Sequence, residues 1–231
     1  MRNIPIIVFI NKMDREGKDA FDLLDEVEQK LALKVTPLSF PIGMGYDFQG
    51  IYNLWERNIN LFTGDSKKNI DDTVEISDLS DSTLNSLVGE KAAVTLREEI
   101  ELVEGIYPGF DQGSYINGEL QPVFFGSALN NFGVKELLDC FIAIAPTTRT
   151  KASEERIVAP DEDKFSGFVF KIHANMDPKH RDRLAFIKIV SGTFKRNTAY
   201  LHVRQNKNLK FSSPNAFFAE KKRNCRHLIS W

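Results

Sequence analysis

Apolar residues come in three rhythms along this chain. Residues 4–10 form a continuous, largely β-branched run, which predicts a fully buried strand with Pro5 tolerable near its start. Over residues 19–33, Leu24, Val27 and Leu31 recur at helical spacing behind an acidic first turn, which predicts an amphipathic helix. Residues 35–42 read as a second short apolar strand, followed by Gly43 and Gly45. Strand, helix, strand is one crossover unit and predicts a parallel sheet. Residues 122–125 resume the buried-strand character and end at Gly126-Ser127-Ala128-Leu129. A helix is predicted over 134–145, with Val134, Leu137, Leu138, Phe141 and Ile142 as its apolar stripe and Pro146 as its stop.

Between these pieces the pattern changes. Residues 46–120 mix a β-like piece at 73–77, a long amphipathic helix at 84–104 and polar turns. That is too long for a connection, so it predicts an inserted α+β subdomain. Residues 148–163 are polar and without period, as a linker is. Strict alternation then takes over in "FSGFVFKIHA", "RLAFIKIVSG" and "TAYLHVRQ", which predicts a small antiparallel barrel over 164–231.

Charge sharpens this division. Residues 164–231 carry 15 Lys and Arg against 3 Asp and Glu, although the whole chain has a formal net charge of −2. A basic C-terminal part either faces a polyanion or docks on the acidic N-terminal part. The overall composition, 42% hydrophobic and 27% charged, is that of an ordinary globular protein. No apolar run approaches the length of a membrane span, and the start carries no signal-peptide pattern. Cys140 and Cys225 lie far apart without ligand spacing, and His173, His180 and His202 show no metal-ligand spacing, so no metal site is predicted. A reducing, cytoplasmic setting is the simplest expectation.

The chemistry sits where the first apolar run stops. Asn11-Lys12-Met13-Asp14 replaces ordinary turn residues with an amide, an ammonium and a carboxylate. A carboxylate at a sheet mouth accepts from guanine N1–H and N2–H2 together, which adenine cannot satisfy. The Asn11 amide can reach N7 and tie the loop down, and the aliphatic stem of Lys12 can cover the purine face. Met13 is expected to point back into the core. The missing donor for O6 is expected at the second loop, where Ser127 braces Asp14 and Ala128 presents its N–H. Both loops follow apolar strands at their C-terminal ends, where open α/β sheets bind ligands.

The pair resembles the guanine-specifying half of P-loop GTPases, and the large insert between the loops is similar to elongation factor G and its relatives. "NKMDREGKDAFDLLDEVEQKL", "FPIGMGYDFQGIYNL", "LREEIELVEG", "PVFFGSALNNFGVKELLDCFIAIAP" and "DKFSGFVFKIHANMDPKHRDRLAFIKIVSG" look like the peptide chain release factor 3 family. The resemblance implies the fold class: α/β, the C-terminal part of a GTP-binding domain over 1–147 with its insert, then an incomplete antiparallel β-barrel. It implies GTP or GDP as ligand, with Mg2+ in the intact family. The implied partners are the ribosome, RNA and proteins, and class-I release factors, with neither membrane nor DNA. Guanine would be read by Asn11, Lys12, Asp14, Ser127 and Ala128. Lys179, Arg181 and Arg183 are the candidate ribosome contacts.

Three expectations complete the reading. No Gly-x-x-x-x-Gly-Lys-Ser/Thr occurs, and no Asp-x-x-Gly precedes the first strand, so the chain is expected to start inside the nucleotide domain, with Met1 internal to a longer frame. No catalytic residue is therefore assigned, and the isolated chain is expected not to hydrolyse GTP. Residues 223–231 are expected not to continue a barrel strand; a one-nucleotide shift near Lys222 would explain them. The competing readings are an elongation factor G-like translocase fragment and a non-functional interaction remnant of a split gene.

Overall fold

The computed structural model describes residues 4–62, 73–76, 78–174, 183–218, 221–224 and 227–229, in two compact units, Met1–Pro146 and Thr147–Trp231. The first unit runs β1 (Val8–Asn11), α1 (Ala20–Leu31), β2 (Val35–Pro37), β3 (Ser39–Ile42), β4 (Gly50–Asn53), β5 (Asn58–Leu61) and β6 (Thr73–Glu75). It continues with α2 (Ser82–Val88), α3 (Glu90–Ile106), α4 (Gln112–Ile116), β7 (Gln121–Gly126) and α5 (Val134–Ile144). A parallel sheet of order β1-β7-β2 holds the crossover through α1, and an antiparallel sheet of order β3-β4-β5-β6 belongs to the insert.

The parallel sheet expected from the strand–helix–strand pattern is present, with two differences. Residues 35–42 are two strands: β2 pairs with β7, and after Leu38 the chain leaves that sheet to begin β3 in the other. Leu38 bonds both ways, its N–H donating to Val123 O at 2.9 Å and its O accepting from Leu54 N at 2.9 Å. Apolar continuity hid the change because both strands are buried throughout. The first strand is half-buried, and Ile4 and Ile6 are 58% and 43% exposed, because β1 lies at the sheet's edge. β7, in the centre, is buried at every residue. One core cluster unites Leu24 of α1, Val35, Phe40, Val123 and Phe125, with Phe40 and Phe125 meeting edge-on at 5.7 Å.

The long helix expected over 84–104 is two. Gly89, at φ 84°, separates α2 from α3, in a left-handed backbone that other residues resist. Asp81 caps α2 by accepting from Thr83 N at 2.8 Å, as Asp19 caps α1 from Phe21 N. On α3 the half-buried Glu99 carboxyl is pushed up to about 7, first by burial and then by Asp19 and Glu98. The folded protein binds that proton more tightly than the unfolded chain does. The stabilisation is therefore full below the ordinary carboxylate value and lost as pH rises through about 7. Glu99→Gln is expected to remove this decline, read as the melting midpoint of both proteins across that range.

α5 is rotated from its expected stripe. Its buried residues are Glu136, Cys140 and Ile144, whereas Leu138, Phe141 and Ile142 are 49%, 48% and 76% exposed. Burial pushes the Cys140 thiol up to about 11, which suits a packing residue.

The second unit contains β8 (Lys151–Ala152), β9 (Ile157–Val158), β10 (Ser166–Ala174), β11 (Arg183–Ser191), β12 (Thr193–Lys195), β13 (Ala199–His202), β14 (Lys207–Lys210), β15 (Asn215–Phe218), β16 (Lys221–Asn224) and β17 (His227–Ile229). They form antiparallel pairs β8-β9, β10-β11, β12-β17, β13-β14 and β15-β16. The expected linker thus contains a small hairpin. The tail also departs from expectation: β16 pairs with β15, and β17 returns to β12. Strand pairing uses backbone groups and an available edge, so an unusual side-chain sequence does not prevent it.

Candidate functional site

β1 and β7 are parallel neighbours, with Asn11 in register with Gly126. Their C-terminal ends therefore release both polar loops side by side. The first loop turns sharply: Lys12 takes φ 73°, and Arg15 N donates to Lys12 O at 3.0 Å. Met13 is buried, as expected, and it fastens the loop on two sides. Its N–H donates to Gly126 O at 3.1 Å, and its O accepts from Gly45 N at 2.9 Å. Gly45 takes φ 60° there, a left-handed backbone that other residues resist.

The second loop is a short 3-10 turn, Ala128–Asn130, closed by a pair of bonds. Ser127 N donates to Phe132 O and Phe132 N to Ser127 O, both at 3.0 Å. Gly126 makes this closure possible, because a Cβ there would stand 2.3 Å from Phe132 O.

Each candidate residue now has a place. Asn11 Oδ1 accepts from its neighbour Lys12 N at 2.8 Å and from Ala128 N at 2.9 Å, which bolts one loop to the other. With that oxygen engaged on backbone donors, the amide can offer its Nδ2 donor to an acceptor such as N7. Ala128 N–H, expected to be reserved for O6, is in this structure given to Asn11. Lys12 is exposed and Asp14 half-buried, while Ser127 is buried. Among the described residues, Ser127 makes no direct bond to Asp14. Asn130 stands between them, its Nδ2 donating to Ser127 Oγ at 2.9 Å and to Asp14 Oδ2 at 3.3 Å. Asn130 was missed in the sequence because an Asn one turn beyond a Gly-Ser pair reads as ordinary turn chemistry. Arg183 is exposed at the start of β11, opposite Ala174, whereas Lys179 and Arg181 lie outside the described residues.

A parallel sheet that presents an amide, a carboxylate and a serine–alanine turn from adjacent strand ends defines a nucleotide-binding α/β domain. Two family models match the chain: the elongation factor Tu GTP binding domain over residues 1–147, and elongation factor G domain 2 over residues 164–230. The chain belongs to the elongation factor Tu-type GTP-binding family, the translational GTPases.

That family implies GTP or GDP as ligand, with Mg2+. The residues at the two strand ends fit the base of such a nucleotide in donor and acceptor chemistry. For the metal there is no comparable set: among the described residues no three or more His, Cys, Asp or Glu are grouped as ligands. Among the described residues, no helix is long and apolar enough to cross a membrane.

Proposed function

We propose that Asn11, Lys12, Asp14, Ser127 and Ala128 form the guanine-recognition end of a ribosome-acting GTPase of the release factor 3 type. The observation that carries this reading is the bond from Ala128 N to Asn11 Oδ1. It puts an N–H donor and an amide at one rim, beside the half-buried Asp14 carboxylate. Guanine, with acceptors O6 and N7 on one edge and donors N1–H and N2–H2 beside them, complements that rim. O6 would share the Ala128 N–H with Asn11, and Asn130 would hold Asp14 in place.

The release factor reading rests on the quoted segments, above all the one spanning 163–192. On it, the protein acts as a GTPase that uses GTP to drive class-I release factors from the ribosome in the cytoplasm. Lys179, Arg181 and Arg183, in a strongly basic second unit, meet ribosomal RNA. A translocase reading is favoured by one observation, the elongation factor G domain 2 match over 164–230. Ribosomes halted after peptide release separate the two, through displacement of the bound release factor versus movement of the messenger.

The base assignment is tested on the chain itself by nitrogen-15 NMR titration with GDP and ADP. GDP is expected to move the Ala128 and Asp14 amide signals while ADP leaves them in place. Equal responses to both nucleotides, or none, would sink the assignment.

A further inference from the structure

The polar residues under α5 present an anomaly that the base site does not use. Direct partners in an antiparallel sheet share a face. The pairs Ser39↔Asn53, Asn53↔Asn58 and Ile51↔Asn60 therefore put one serine and three asparagines on the same side of β3, β4 and β5. All four are buried, and so is Glu136 of α5 at 9% exposure. Asn60, 4% exposed, donates Nδ2 to Glu136 Oε1 at 2.7 Å. The other oxygen on each group, Asn60 Oδ1 and Glu136 Oε2, is buried and accepts from no donor among the described residues. These two bare acceptors sit on groups already joined by one bond, and a hydrogen shared between them would satisfy both.

We propose that Glu136 is a neutral carboxylic acid in the folded protein, its Oε2–H donating to Asn60 Oδ1, and that this two-bond clamp positions the second base-recognition loop. One proton satisfies both bare oxygens and closes an amide–acid ring. Leaving either unpaired in the interior is costly.

The neighbours agree. Burial raises the Glu136 carboxyl above the ordinary range, and Glu56 and Asp139 push the same way. Lys135 and the residue's own backbone N–H oppose them and do not prevail. Glu56 takes the available amide donors instead, from Asn53 at 3.2 Å and Asn58 at 3.1 Å.

The clamp sits just after Gly133, the end of the loop that starts at Gly126. It joins the insert hairpin to the helix that the base loop feeds. As pH rises, loss of the proton to solvent leaves a carboxylate against a carbonyl oxygen, and the ring opens. The consequence for nucleotide binding rests on the guanine reading above; the protonation itself does not.

The test uses the full chain in a Glu99→Gln background, which removes the other raised carboxyl. The Asn60 side-chain NH2 signals are followed by NMR against pH, beside GDP affinity, in that protein and with Glu136→Gln added. The glutamine introduced by Glu136→Gln restores the ring with its own amide N–H and cannot titrate. In the protein that keeps Glu136, the Asn60 signals are expected to shift at a pH above the ordinary carboxylate value, and GDP affinity to fall about tenfold through the same step. With Glu136→Gln both are expected to be flat.

Asn60 signals flat in both proteins would overturn the clamp. A shift below the ordinary carboxylate range would do the same, as would Ca2+ moving the Asn60 signals only when Glu136 is present. Titrating Asn60 signals with no GDP response at any pH would retain the clamp and reject the guanine reading.

Discussion

Replacing Asp14 with asparagine is expected to lower GDP affinity at least about 100-fold while leaving the fold intact. On the guanine reading proposed above, the carboxylate is the group at the rim that would accept from two guanine donors at once, and each charge-assisted bond is worth about 1.5–3 kcal/mol. A side-chain amide turned one way keeps a single acceptor and sets its NH2 against the second donor. Turned the other way it does the same in reverse. Folding should survive because the oxygen of the substituted amide can still accept from Asn130, whose Nδ2 already reaches Asp14 Oδ2 at 3.3 Å. Calorimetric titration with GDP measures the loss, and an unchanged melting midpoint separates lost recognition from lost structure. Retained affinity with Asp14→Asn would mean that the base is read elsewhere.

How far the site was legible follows from what each residue answers to. Asn11, Lys12 and Asp14 stood out because they end an apolar strand with three groups that no turn requires, and strand adjacency then brought Ser127 and Ala128 beside them. Met13 was legible from the same break, as the lone apolar residue in the turn, and it is buried. Asn130, Asn60 and Glu136 were not legible. Each is defined by a partner far away in sequence or by a turn whose geometry composition does not encode; Asn60 meets Glu136 across 76 positions. The α5 stripe misled for a related reason. Counting apolar residues favoured Leu138, Phe141 and Ile142, but the face that packs carries Glu136, bonded to Asn60, and Cys140 and Ile144, which join Leu38, Tyr115 and Phe124 in a core cluster. Periodicity reports how apolar a face is, whereas packing decides which face is covered. The bend at Leu38 escaped because two buried strands in different sheets share one apolar signature.

Gly126→Ala is expected to be among the most damaging single changes in the first unit, at about 3 kcal/mol or more. The added methyl would stand 2.3 Å from Phe132 O, 2.8 Å from Phe9 Cζ and 3.2 Å from Gly133 Cα. Two of the three obstacles are backbone, and the carbonyl is already bonded to Ser127 N, so none can swing aside as a surface side chain would. Relief requires β7 and the loop at Phe132 to part, which breaks the paired Ser127–Phe132 bonds and displaces Ala128. Stability and recognition should therefore fall together. Gly105→Ala is the matched control: it lies in α3 with nothing within 4 Å of its new methyl, so it should be neutral or stabilising by about 0.5–1 kcal/mol. Urea unfolding of both variants, with GDP titration alongside, decides the matter. Equal midpoints would show that the approach of strand and loop at Gly126 is looser than a methyl group, and the tight closure that presents Ala128 would lose its physical basis.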